Sequence, residues 1–167
     1  MFLLHCFQKL HSIDPGYRIF FAGDWQDEMV QQYMLHMVAQ MGLQDCVFFD
    51  GHQTDVQGWL QDKHYLLSGS LSESQGMGIM EGMACGLRPV IHDFPGADSI
   101  YPAQYIFRTQ DEFCQGILEG SYQPREYRQY IEQNYSLDLQ MSRINDLFLD
   151  LERQVTAERQ TPQLKLV

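Results

Sequence analysis

Short apolar runs rich in β-formers alternate with helical stretches through most of the chain, and this alternation limits the fold more than any other feature. Tyr17–Ala22, Cys46–Phe49, His64–Ser68 and Val90–His92 read as strands, with a further extended piece at Tyr105–Phe107. Between them lie helical patterns. Residues 2–11 place Leu3, Phe7 and Leu10 at helical spacing and stop at Asp14-Pro15-Gly16. Residues 26–41 put Met29, Tyr33, His36, Met37 and Met41 on one face, with Gly42 at the carboxyl end. Shorter helices are expected over Asp55–Leu60 and Gly76–Cys85, then over 110–119, 125–134 and 138–155. Strands separated by helices pair in parallel, because only a crossover returns the chain to the same end of the sheet. The expected fold class is therefore α/β with a mainly parallel sheet. One domain over 1–155 and a frayed tail over 156–167 account for the chain.

Composition narrows the functions such a sheet can serve. At 167 residues and 44% hydrophobic, the chain can bury one core of ordinary size. Twenty-two acidic against eleven basic residues give a net charge of −11. That balance repels nucleic acid and anionic lipid, so neither is an expected partner. A phosphate site has to be built locally, from backbone N–H groups at a helix start. No apolar run is long enough to cross a bilayer, and the opening MFLLHC lacks the basic n-region of a signal peptide. The four cysteines, Cys6, Cys46, Cys85 and Cys114, are widely spaced with no CxxC, and the six histidines form no HExxH. Reduced, partly buried thiols in a cytoplasmic protein, with no metal site, are expected.

In parallel sheets ligands bind beyond the carboxyl ends of the strands. The turns of interest are Gly23-Asp24, Asp50–Gln53, Ser68–Gly78 and Asp93–Ala97. The third carries the most chemistry. Its continuation, SLSESQGMGIMEGMACGLRP over 70–89, has glycine at 76, 78, 82 and 86, flanked by the carboxylates Glu73 and Glu81. Glycine at a helix start lets an anion reach free N–H groups. Carboxylates repel phosphate but accept hydrogen bonds from hydroxyls. Together they suit a nucleotide sugar: phosphate on the amides, ribose diol on Glu81, transferred sugar on Glu73. Gly82 and Gly86 are expected to serve helix packing and capping, and Gly76 to serve the ligand. A dinucleotide GxGxxG turn is the competing reading. It fails because residues 69–75 separate the strand from Gly76, and Glu81 occupies the third glycine position.

This segment resembles the signature of the retaining glycosyltransferases with two Rossmann-like domains, the large family four. Glu73 and Glu81 keep the family's Glu–seven residues–Glu spacing, Gly76 matches its glycine, and Met83-Ala84-Cys85-Gly86 and Pro89-Val90 follow its pattern. Phe20–Asp24, Val47–Gly51, Pro95–Asp98 and Asn134-Tyr135-Ser136 extend the likeness over about residues 2–155. The resemblance implies the C-terminal half of a GT-B enzyme: a Rossmann-like three-layer parallel sheet with helices on both faces and C-terminal helices. It implies Glu81 on the ribose and Glu73 as the catalytic residue on the donor sugar. The backbone at Gln75, Gly76, Met77 and Gly78 would hold sugar and diphosphate, and the Asp50–Gln53 turn would lie near the base, with His52 solvated. Transfer would proceed with retention, without metal or other cofactor, to a glycan, lipid or small-molecule acceptor bound by a missing N-terminal domain.

Three departures accompany the likeness. Ser74-Gln75 stands where Gly-Phe is common, and Asp98 where Glu is usual. The family's strand with an Arg and a Lys before the first helix is absent, because the chain opens inside that helix. That strand would be central, between 17–22 and 64–68. Lys63 and Arg88 are expected to be surface charges rather than substitutes for the missing pair. The chain is thus expected to be part of a longer or split transferase, inactive alone. The contrasting expectation is a degenerate, non-catalytic interaction module.

Overall fold

The computed structural model describes residues 1–160, with side chains through Thr156, so Thr161–Val167 of the expected tail lie outside the described residues. The described residues fall into two compact units, Met1–Arg128 and the residues from Gln129 onward. In the first, helix α1 (Phe2–Ile13) leads to β1 (Ile19–Ala22), α2 (Glu28–Gln40), β2 (Val47–Gly51), α3 (Val56–Leu60) and β3 (Tyr65–Ser68). There follow α4 (Met77–Cys85), β4 (Arg88–His92), the one-turn α5 (Ala97–Ile100), β5 (Ile106–Phe107) and α6 (Gln110–Leu118). The unit boundary falls within α7 (Pro124–Tyr135), and the second unit contains α8 (Leu137–Gln160).

Among the described residues all strand pairings are parallel, as the alternation requires. The strands form two sheets rather than one: β1 with β2, and β3 with β4 with β5. Residues of β1 and β3 line a common cavity. Period-two alternation assigns the helices to faces. Tyr65 and Leu67 of β3 pack against the core cluster that contains Leu4, Phe7 and Leu10 of α1, Met34 and Val38 of α2, and Phe113 and Ile117 of α6. Leu66, pointing the other way, meets α4 at Gly82. Helices therefore cover both faces of the β3–β4 pair.

Local chemistry explains the boundaries. Asp27 caps α2 by accepting from the Met29 and Val30 amides, and Thr109 with Glu112 forms a reciprocal capping box on α6. At the end of α4, Gly86 adopts φ +89°, its N–H bonds to Met83 and that of Leu87 to Gly82. This is the left-handed cap that satisfies the last carbonyls and turns the chain straight into β4. The capping role expected of Gly86 is observed.

Two expectations need correction. The buried face of α2 carries Met34 and Val38, while Met29 and Tyr33 are 79% and 52% exposed. Eight apolar residues nearly encircle this helix, so periodicity alone leaves its orientation open. Arg88 is not a surface charge: it is buried and donates to the Ser121 carbonyl at 2.5 Å. Lys63 is also largely covered, its ammonium lying 4.6 Å from the Phe20 ring centroid and 4.8 Å from that of Trp59.

Cys6, Cys46 and Cys114 are buried and Cys85 half-buried, none in a disulfide. Burial, with Cys114 nearby, pushes the Cys6 thiol up to about 11, and burial raises Cys46 and Cys114 as well. Fewer thiolates form at a given pH, so native alkylation at pH 8 should modify Cys85 first, the other three reacting only after urea unfolding, as mass spectrometry would show. Gly82→Ala would bring a Cβ within 2.8 Å of Leu66. It should cost about 1–3 kcal/mol in urea unfolding.

Candidate functional site

The carboxyl ends of β3 and β4 carry the loops that sequence analysis singled out. After Ser68 the chain runs through an exposed loop to Gly76, which begins α4 in the left-handed conformation at φ +72°. Only glycine adopts that turn without strain. A Cβ there would also approach Ile79 and the Tyr101 hydroxyl, each at 2.9 Å. Gly76 therefore has a structural role in addition to any ligand contact.

Tyr101 fixes the turn from the neighbouring loop. Its ring is buried, and its hydroxyl donates to the Gln75 carbonyl at 2.7 Å, with the Gly76 carbonyl at 3.2 Å. The segment after β4 thus braces the segment after β3. No motif announces this, since twenty-six residues separate Tyr101 from Gln75. The same side of the sheet carries the left-handed Gly96, the exposed Asp98, and an Arg108–Asp93 ion pair of 2.7 Å.

The start of α4 is chemically open. No side chain caps it and its first turn holds no acid. The first intrahelical donors are the Ile79 and Met80 amides, which bond the Gly76 carbonyl, so the N–H groups of Met77 and Gly78 have no intrahelical partner. Gly78 has no heavy atom within 4 Å of where a Cβ would stand, and Gln75, Met77 and Gly78 are exposed. An anion can approach this backbone without displacing protein atoms, and the helix dipole favours negative charge there.

Glu73 and Glu81 lie on either side of this opening in the chain, and both are exposed. Glu73 accepts a hydrogen bond from Ser70 Oγ at 2.6 Å, which restrains its carboxylate inside the loop. Glu81, one turn into α4, makes no hydrogen bond or ion pair among the described residues. Its carboxylate is open to hydroxyl donors. Each of the six expected residues (Glu73, Gln75, Gly76, Met77, Gly78 and Glu81) thus belongs to one loop-to-helix junction, and the junction is not sealed in the core. Ser70 and Tyr101 are the additions that sequence reasoning missed.

At the β2 end, Asp50 accepts from Trp59 Nε1 at 2.7 Å, and Gln53 Nε2 donates to the Asp50 carbonyl at 2.8 Å. His52 is exposed, as expected of a loop residue. Arg88 and Lys63 stand at the amino ends of β4 and β3, opposite the junction, so neither reaches it. Among the described residues, no three His, Cys, Asp or Glu side chains cluster as a metal site would require, and no helix is long and apolar enough to cross a membrane.

Comparisons with known proteins bear on the family and the fold. Residues 1–119 match the family model of glycosyl transferases group 1. A curated relative, glycosyltransferase 1 domain-containing protein 1 of Xenopus tropicalis, is 23% identical over 164 residues, covering 91% of this chain and 47% of the relative. The fold is similar to that of TarM from S. aureus, a mutant of which was solved with fondaparinux, α-GlcNAc-glycerol and UDP: TM-score 0.77, 21% identity, 88% of this chain and 32% of that one. It is similar also to the pneumococcal O-GlcNAc transferase GtfA, solved with UDP and GlcNAc: TM-score 0.67, 18% identity, 79% of this chain and 29% of that one. The chain spans about half the length of the curated relative and about a third of these structures. The α/β, Rossmann-like GT-B fold with C-terminal helices is thereby established.

Removing the Tyr101 hydroxyl should free the turn while leaving the core ring in place. Tyr101→Phe is expected to lower global stability by about 1 kcal/mol. It should speed amide exchange at Ile79 and Met80, whose N–H groups bond the Gly76 carbonyl, while leaving β4 protected.

Proposed function

The chain belongs to the glycosyl transferases of group 1, and from that premise we propose that it is the donor-binding part of an enzyme moving a hexosyl group from a nucleoside-diphosphate sugar to an acceptor. The observation that carries this reading is the uncapped start of α4, with Gly78 open to solvent and an exposed carboxylate on each side. Donor diphosphate sits on the Met77 and Gly78 amides. Glu81 accepts from the ribose diol, and Glu73, restrained by Ser70, accepts from the sugar's hydroxyls. UDP in the TarM and GtfA structures supports a uridine nucleotide as the first to try.

Transfer in this reading retains anomeric configuration. The acceptor hydroxyl attacks the face the diphosphate leaves, and a departing phosphate oxygen takes its proton, so no protein nucleophile is needed. Stabilising the negative charge that develops on that phosphate is the main catalytic contribution, supplied by amides and helix dipole rather than by metal. The family-four likeness of the Glu73–Glu81 segment and the open amides support this scheme. The acceptor, a glycan, lipid or small molecule, is held by a further domain of a longer or two-part protein in the cytoplasm. The isolated 167-residue chain then binds nucleotide but transfers little sugar.

Calorimetric titration with UDP, GDP and ADP tests the reading. One of them should bind, Glu81→Ala should weaken it by about tenfold, as lost charge-assisted bonds to a diol would, and Glu73→Ala should weaken it less. Titration with the matching nucleotide sugar should reverse that order for the sugar's contribution. No binding by any of the three nucleotides, or equal and negligible effects of both substitutions, would favour the degenerate module instead.

A further inference from the structure

Glu73 is restrained by Ser70, and Ser70 is held in turn from the neighbouring strand. His92, the last residue of β4, sets its Nδ1 3.4 Å from the Ser70 carbonyl, and Ser70 Oγ lies 2.6 Å from Glu73 Oε1. We propose that His92 is a positioning residue for the donor sugar. Through Ser70 it fixes the Glu73 carboxylate where that group accepts from the sugar's hydroxyls. The role presupposes the donor-binding reading of Glu73 and extends it to a side chain that meets neither nucleotide nor sugar.

Sheet register brings these groups together. Ser68 of β3 stands against Ile91 of β4. The next residues along the two strands, Gly69 and His92, continue that register, with Ser70 one step further. Leu3 of α1 closes over this point, for a Cβ on Gly69 would come within 2.6 Å of it. Beyond it, residues 70–75 make no backbone–backbone hydrogen bond. Side-chain hydrogen bonds tie the loop down instead, Tyr101 at its carboxyl end through Gln75 and His92 at its amino end through Ser70. Releasing the amino-terminal tie leaves Ser70 free to turn, and its hydroxyl then leaves Glu73.

The imidazole is suited to this task and makes no other hydrogen bond among the described residues. Its ring meets Phe2 edge-on with centroids 5.0 Å apart and Phe107 at 5.6 Å, so aromatic packing sets the direction of Nδ1. Packing alone would be met by an apolar side chain, as at Val90 and Ile91 of the same strand. A carbonyl oxygen only accepts, so the contact requires the proton on Nδ1. No motif announces the pairing, because twenty-two residues separate His92 from Ser70.

Titration of the 167-residue chain with UDP, GDP and ADP, then with the glucose and N-acetylglucosamine conjugates of the one that binds, separates sugar contacts from nucleotide contacts. His92→Phe keeps a packed ring and removes the donor. Nucleotide affinity should stay within about twofold, while the affinity gained from the sugar should fall about fivefold. His92→Asn, whose amide nitrogen stands near the Nδ1 position, should restore that gain. In a Ser70→Ala background, His92→Phe should have no further effect. Without ligand, long-range proton–nitrogen NMR spectra of the neutral ring should show the proton on Nδ1, and relaxation should show residues 70–73 more mobile in His92→Phe. A proton on Nε2, unchanged mobility in His92→Phe, or rescue by His92→Gln in place of His92→Asn overturns the relay while leaving nucleotide binding intact. No binding by any of the nucleotides, or no affinity gained from either sugar by the unaltered chain, overturns the donor role itself, so the two failures are told apart.

Discussion

The parallel register of β3 on β4, Tyr65 against Arg88 through Ser68 against Ile91, obliges both strands to end on the same side of the sheet. Everything attributed to the site depends on that pairing. It sets the loop after Ser68 beside the segment after His92, which lets a tyrosine from one hold two carbonyls of the other. Register slipped by one residue would turn Leu66 away from Gly82 and remove the contact that seats α4. The open amides of α4 are thus a consequence of sheet pairing and glycine placement.

Four glycines in one short segment divide the labour. Gly82 yields space for Leu66, and Gly86 closes the helix in a conformation other residues avoid. Gly76 makes the left-handed entry turn under Tyr101. Gly78 alone has neither a positive φ nor a neighbour that a methyl group would strike. A glycine inside a helix costs about 1 kcal/mol relative to alanine, and nothing in the fold offsets that cost at position 78. Close approach of a ligand to the backbone would.

Much of this was legible because local physics and tertiary structure agreed. Strand and helix order, the cap at Gly86 and the packing role of Gly82 follow from apolar periodicity and glycine spacing. The site junction was legible for the same reason: carboxylates and glycines sit within one contiguous segment. What escaped was set by partners distant in sequence. Tyr101 reads as one more core aromatic until its hydroxyl is seen on Gln75. Arg88 looks like a solvated cation until the 120–121 turn folds over it. The orientation of α2 depends on which of two apolar arcs finds the sheet, and the chain pattern supports both. The one-turn helix α5 is too short for any period to show.

Charge ties the site to the rest of the molecule. A chain of net charge −11 disfavours a diphosphate everywhere on its surface except where local dipoles outweigh the general field. At the start of α4 the first turn is free of acids, and Glu73 is engaged by Ser70 rather than aimed by repulsion alone. A helix terminus contributes about 0.3–1 kcal/mol per interaction when exposed and more when partly buried. On the proposed reading, two amides and a dipole would place a diphosphate but hold it weakly while water still reaches the site. Covering that surface would lower the effective dielectric and strengthen the same contacts. In the proposed enzyme, an acceptor-holding domain closing over the junction would do that, and the acceptor would then arrive with the element that strengthens donor binding.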